Sequence, residues 1–144
     1  MRPRKYQADP WAGLRLLNNA RPYDPGDTTA RHLQTRAAFE RLTDGTASND
    51  DFDRVAMALN IAKVRALEID AGLADLIEAS QDAMTALRKR HDTWGKWDML
   101  ATERAAIAEA LEAAETVADA SSPLQMQRAL DVVSAIVIRK ARAA

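Results

Sequence analysis

The chain has no cysteine among its 144 residues, which removes disulfide frameworks, thiolate zinc sites and thiol nucleophiles together. Glycine is scarce: the five glycines stand singly, so no glycine-rich cradle for phosphate can form. Neither G-x-x-x-x-G-K-[ST] nor G-x-G-x-x-G occurs, and the G-x-S-x-G elbow of serine hydrolases is missing too. Only two histidines are present, His32 and His91. Neither has a His, Asp or Glu at the i+3 or i+4 step that clasps a metal from one helix face. No apolar run approaches the roughly 20 residues that span a bilayer. The start of the chain carries Arg2, Arg4 and Lys5 but no apolar segment of the secretory kind, so a cytoplasmic protein with no membrane partner is expected. No stretch alternates with a period of two over strand length, so no sheet is expected either.

Proline is unevenly spent. Four of the five prolines fall at Pro3, Pro10, Pro22 and Pro25, and each bars continuous helix. Residues 1–27 therefore read as a basic arm in which Trp11, Leu14, Leu16 and Leu17 form at most a short helix. Residues 28–144 read as the folded domain. Alanine dominates there and reaches 30 residues over the whole chain; it favours helix and lets helix backbones approach closely.

Hydrophobic spacing predicts an all-α bundle of about five helices. The first begins after Asp27 or Thr28 and runs to about Leu42. The second opens at Ser48-Asn49-Asp50-Asp51, a cap followed by acids at the positive end of the helix dipole. Phe52, Val55, Leu59, Ala62, Ala66 and Ile69 form its seam. Gly72 marks a break or a bend before a third helix that ends near His91. A fourth covers about Asp98–Asp119, with Leu100, Ile107, Leu111, Ala114, Val117 and Ala118 inward and its acids outward. Ser122, Pro123 and Gln125 start the last one as a capping box with proline at the first helical position. Its apolar residues Met126, Ala129, Leu130, Val133, Ile136 and Val137, extended by Val132 and Ile138, make it the element around which the rest is expected to pack.

Charge is balanced overall, at −1, and segregated locally. Residues 98–120 hold Asp98, Glu103, Glu109, Glu112, Glu115 and Asp119 against Arg104 alone, while Arg2, Arg4, Lys5, Arg15 and Arg21 face only Asp9 in residues 1–22. Such segregation serves head-to-tail packing, self-association or partner steering. Trp94 and Trp97, flanked by Arg88, Arg90 and Lys96, are candidate contact residues of the aromatic–cationic kind that dominates protein interfaces; the alternative is that both rings close the end of the bundle. Glu109, Glu112 and Glu115 are a second candidate contact face, able to mimic nucleic acid by complementary charge. The surplus apolar surface of the last helix, with Arg139-Lys140-Ala141-Arg142 behind it, suggests a homodimer. No catalytic, cofactor or metal site is expected. A nucleic-acid-associated protein using Arg2, Arg4 and Lys5 is the alternative. It is not a helix-turn-helix: the connection of about Thr43–Asn49 exceeds the three- or four-residue turn of that motif, and the following helix opens with aspartates.

The basic start Arg4-Lys5-Tyr6, the stretch Asp51–Ala62 and the region Ala106–Val133, notably Gln127-Arg128-Ala129-Leu130-Asp131-Val132-Val133, resemble a group of small uncharacterised helical proteins encoded by phages and prophage regions of proteobacteria. That resemblance implies a setting rather than a chemistry: a small accessory protein, in the host cytoplasm, that binds a host protein. Inhibitors of antiviral systems such as anti-CRISPR proteins, and proteins that redirect host regulators, are examples.

Overall fold

The computed structural model describes residues 25–143, with side chains described from residue 28. The arm expected over residues 1–27 lies almost wholly outside the described residues. Five helices follow in order: α1 (Pro25–Asp44), α2 (Asn49–Ile69), α3 (Ala71–Trp94), α4 (Ala101–Asp119) and α5 (Pro123–Ala143). Among the described residues there is no strand. The fold is the expected all-α bundle.

Local chemistry sets each boundary. α1 starts at Pro25, earlier than the cap expected at Asp27 or Thr28, because proline fits the first helical position without losing a hydrogen bond. Gly45, at φ 78°, ends it. Ser48 and Asp51 form a reciprocal box: the Ser48 hydroxyl accepts from the Asp51 N–H at 3.2 Å, and the Asp51 carboxylate accepts from the Ser48 N–H at 2.9 Å. The long tract after it is two helices, and the break falls at Asp70, not Gly72. Asp70 is extended; its N–H closes α2 on the Ala66 carbonyl at 2.7 Å, and its carboxylate caps α3 by accepting from Gly72 N–H at 2.8 Å. A Cβ on Gly72 would stand 3.1 Å from that carboxylate oxygen, so glycine leaves the cap unobstructed. α3 runs on to Trp94, beyond the expected end near His91, because the first residue able to take the left-handed conformation is Gly95, at φ 72°. Ser122 and Gln125 form the box read from the sequence, at 2.8 and 3.1 Å.

The packing differs from expectation in one respect. α2, not the last helix, is the hub, touching α1, α3, α4 and α5. Leu42 from α1, Val55 and Leu59 from α2, Ile77 and Leu87 from α3, and Ile107 and Val117 from α4 are fully buried together. α5 rests chiefly on α2 and buries only Gln127, Ala129 and Val133. Leu100, expected inward, is half exposed because the turn before α4 uses its backbone: the Leu100 N–H donates to the Glu103 carboxylate at 2.9 Å. Ile69 is also exposed, since the break at Asp70 leaves it on the last turn of α2.

Ionic contacts tie the helices to one another. Arg36 of α1 forks onto Glu115 of α4 at 2.5 and 3.0 Å. Arg41 forks onto Asp51 at 2.7 and 3.0 Å. Lys63 meets Glu78 at 3.2 Å, and Arg90 of α3 pairs with the buried Glu103 of α4. Arg65, nearly buried, donates to the Ser121 hydroxyl at 2.8 Å and to Glu68 at 2.7 Å, which fixes the α4–α5 turn to the C-terminal end of α2.

Candidate functional site

The two tryptophans read as a pair from the sequence part company. Trp97 is buried and its indole N–H donates to the Ala47 carbonyl at 3.0 Å. Its ring lies against Phe52, with centroids 5.1 Å apart, and against His91 at 3.7 Å. The Arg88 guanidinium stands 5.3 Å from the Phe52 ring centre and 5.8 Å from that of Trp97, within the range of cation–π attraction. Trp97 thus plugs the end of the bundle. Trp94, three residues earlier, is 74 % exposed, and Lys96 beside it is exposed as well.

The acidic face of α4 is also divided. Glu109 and Glu112 are exposed, whereas Glu115 is held by Arg36. The Arg36 hydrogen bond keeps the Glu115 carboxyl below the ordinary carboxylate range. Glu103 is taken by Arg90, and Asp119 lies 3.5 Å from His32. Much of the acidic surplus of residues 98–120 therefore serves packing within the chain, which leaves Glu109 and Glu112 as the exposed part of the candidate face, with Glu112 still near the charge of Arg36.

Each histidine has an aspartate nearby, at 3.5 Å for His32 and 3.9 Å for His91. His32 meets Asp119 at the bundle surface, and His91 uses its ring as a flat packing surface for Trp97, its Nδ1 enclosed without a hydrogen bond. Among the described residues, no three His, Asp or Glu side chains are grouped so as to hold a metal ion. Between α2 and α3 lies an open groove of about 310 Å³, floored by Phe52, Ala56, Leu59 and Met84 and rimmed by Arg88 and Lys89. Across it the Gln81 amide donates to Asn60 at 2.7 Å. Arg2, Arg4 and Lys5, the candidate nucleic-acid contacts, lie outside the described residues.

No protein-family model, no curated protein and no solved structure matches the chain. Among the described residues, exposed large aliphatic side chains are most frequent on α5. Val132, Ile136, Val137 and Ile138 are 41–53 % exposed, and every described residue from Ala135 to Ala143 is on the outside. The inward spacing of α5 was legible from the sequence. An outward stripe has a sequence signal of its own: Leu124, Arg128, Val132, Ala135, Arg139 and Arg142 recur at steps of four, four, three, four and three. Steps of that kind line one face of a helix, and all six residues are exposed. Among the described helices none is long and apolar enough to cross a membrane.

Proposed function

We propose that this chain is a non-enzymatic protein-binding module that contacts its partner through the outer flank of α5. The observation that supports it is the exposure of Val132 and Ile136, one turn apart on the same side of α5, with Val137 and Ile138 also exposed on its last turns. Isolated exposed aliphatics are ordinary on a protein surface, but a contiguous group rimmed by polar residues marks an interaction site. Trp94 and Lys96 supply a second contact point at the opposite end of α3 from Asp70, and Glu109 and Glu112 a third. The resemblance to phage and prophage proteins adds the setting: a modulator of a host protein acting in the host cytoplasm, of which an inhibitor of an antiviral system is one form.

The test is capture from a proteobacterial lysate with the full chain and with Val132→Asp/Ile136→Asp. Both positions are exposed, so the variant should keep its helical circular dichroism while losing the captured protein. Retention of the same captured protein by the folded variant would move the contact surface off α5. The nucleic-acid reading rests on Arg2, Arg4 and Lys5. It requires duplex binding that weakens with salt and disappears on removal of residues 1–6.

A further inference from the structure

The outer side of α5 is mainly basic, with one acid, Asp131, exposed among its cations. Arg128, Arg139 and Arg142 share it with Leu124, Val132 and Ala135, and Lys140 adds a fourth cation to the helix. None of these four forms an ion pair with any described residue. The helix holds a single acid, Asp131, and Gln127 donates to it at 3.0 Å. The side of α5 turned towards α2 is already occupied by Ala129 and Val133. An occupant must therefore meet the outer side, where aliphatics and arginines share one seam.

We infer that this seam docks an acidic amphipathic helix of a partner protein, whose aliphatics meet Leu124, Val132 and Ala135 and whose carboxylates meet Arg128, Arg139 and Arg142. The inference rests on the protein-binding reading above and adds the partner's chemistry. Helix-on-helix recognition reads anchors at i, i+3, i+4 and i+7, and the spacing of Leu124, Arg128, Val132, Ala135, Arg139 and Arg142 offers that series over most of the helix. Complementary charge selects the partner: an acidic helix neutralises Arg128, Arg139 and Arg142, whereas a basic one meets like charge at each of them. The same repulsion disfavours a second copy, since pairing two α5 seams sets arginines of one against arginines of the other. The homodimer expected from the apolar surplus alone is thus opposed by the charges interleaved with it.

Two synthetic helices of three heptads test the inference, both with Leu at the a and d positions, one carrying Glu and the other Lys at e and g. Fluorescence anisotropy with the full chain should show the Glu helix binding about tenfold or more tightly than its Lys twin. That binding should weaken by about tenfold between about 50 and about 500 mM salt, as screening predicts. Arg128→Glu/Arg139→Glu/Arg142→Glu should reverse the preference, and Val132→Asp/Ile136→Asp should abolish binding of either helix. All five positions are exposed, and circular dichroism confirms that each variant folds. Equal binding of the two helices, binding of neither, or an unreversed preference in the triple variant would overturn the inference. So would sedimentation showing a dimer of the unaltered chain that Val132→Asp/Ile136→Asp dissolves, because the seam would then be filled by a second copy. If lysate capture still depends on Val132 and Ile136 while neither synthetic helix binds, the acidic chemistry fails and the protein-binding reading stands; if capture does not depend on them, that reading fails as well.

Discussion

Asp51 occupies three roles at one position. Its carboxylate accepts from Ser48 N–H as half of the capping box, receives both arms of Arg41, and lies in the first turn of α2 where negative charge meets the helix dipole. The Arg41 guanidinium first, and the Ser48 N–H second, hold this carboxyl well below its usual range. Glu115 is lowered in the same direction by Arg36. A carboxylate with its folded pKa depressed stabilises the fold above its unfolded value, about 3.9 for Asp and 4.3 for Glu, and loses that contribution as pH falls through the folded value. The melting temperature is therefore expected to hold from neutral pH down to about 5 and to drop below about 4. Asp51→Asn and Glu115→Gln should each flatten that drop while lowering the neutral plateau, as thermal melts followed by circular dichroism will show. The neighbouring tryptophans give a sharper contrast. Trp97→Ala removes a buried ring and its hydrogen bond and should cost about 3–5 kcal/mol in urea unfolding, whereas Trp94→Ala should stay within about 0.5 kcal/mol. The sequence shows two similar residues three apart. What separates them is the positive φ of Gly95, which turns the chain between them so that one ring ends a helix in solvent and the other enters the core.

At the scale of the element, the starts of α2 and α5 were the most legible features of the sequence. Ser48 with Asp51, and Ser122 with Gln125, are short-range chemistry and need no knowledge of the rest of the fold. The ends were less legible because a helix stops where a competing backbone conformation is available, and Asp70 and Gly95 compete in different ways. Gly95 has open space where a Cβ would sit, so Gly95→Ala tests conformational strain alone and should destabilise by about 1–2 kcal/mol. Gly95→Asn should recover part of that loss. Asp70→Ala removes the side-chain cap of α3 and should cost about 1 kcal/mol. Urea unfolding measures all three, and a neutral Gly95→Ala would show that the α3 terminus frays rather than turning. The misjudged element is α5. Its periodicity correctly marks an apolar face at Ala129 and Val133, but periodicity records which side of a helix is apolar and not how many neighbours it has. The side chains that made α5 look central, Ile136, Val137 and Ile138, lie on its exposed last turns.

At the scale of the molecule, charge segregation and burial follow one plan. Acids on α4 answer cations on α1 and α3 through Arg36–Glu115 and Arg90–Glu103, so that much of the acidic surplus closes the bundle and the cations of α5 are left facing outward. α2 sits inside this closure with a neighbour in every other helix. Opening an amide of α2 at Val55, Leu59 or Ala62 therefore requires separating several helices at once, which approaches global unfolding, whereas the exposed turns from Ala135 to Ala143 can unwind alone. Hydrogen exchange measured by mass spectrometry should accordingly show slowest exchange in peptides from 52–66, intermediate exchange in 123–134 where Gln127, Ala129 and Val133 are buried, and fastest exchange in 135–143. The gradient along α5 is the informative part. Ends of a helix held by caps and packing resist opening, but no described contact restrains the last turns of α5, so protection there must come from something laid over them. If 135–143 are as protected as 52–66, and dilution removes that protection, a second copy covers the seam; if dilution leaves it unchanged, the chain itself covers it. With the acidic helix bound, protection should rise in 124–143 and stay constant in 52–66, because the seam lies on the side of α5 turned away from α2.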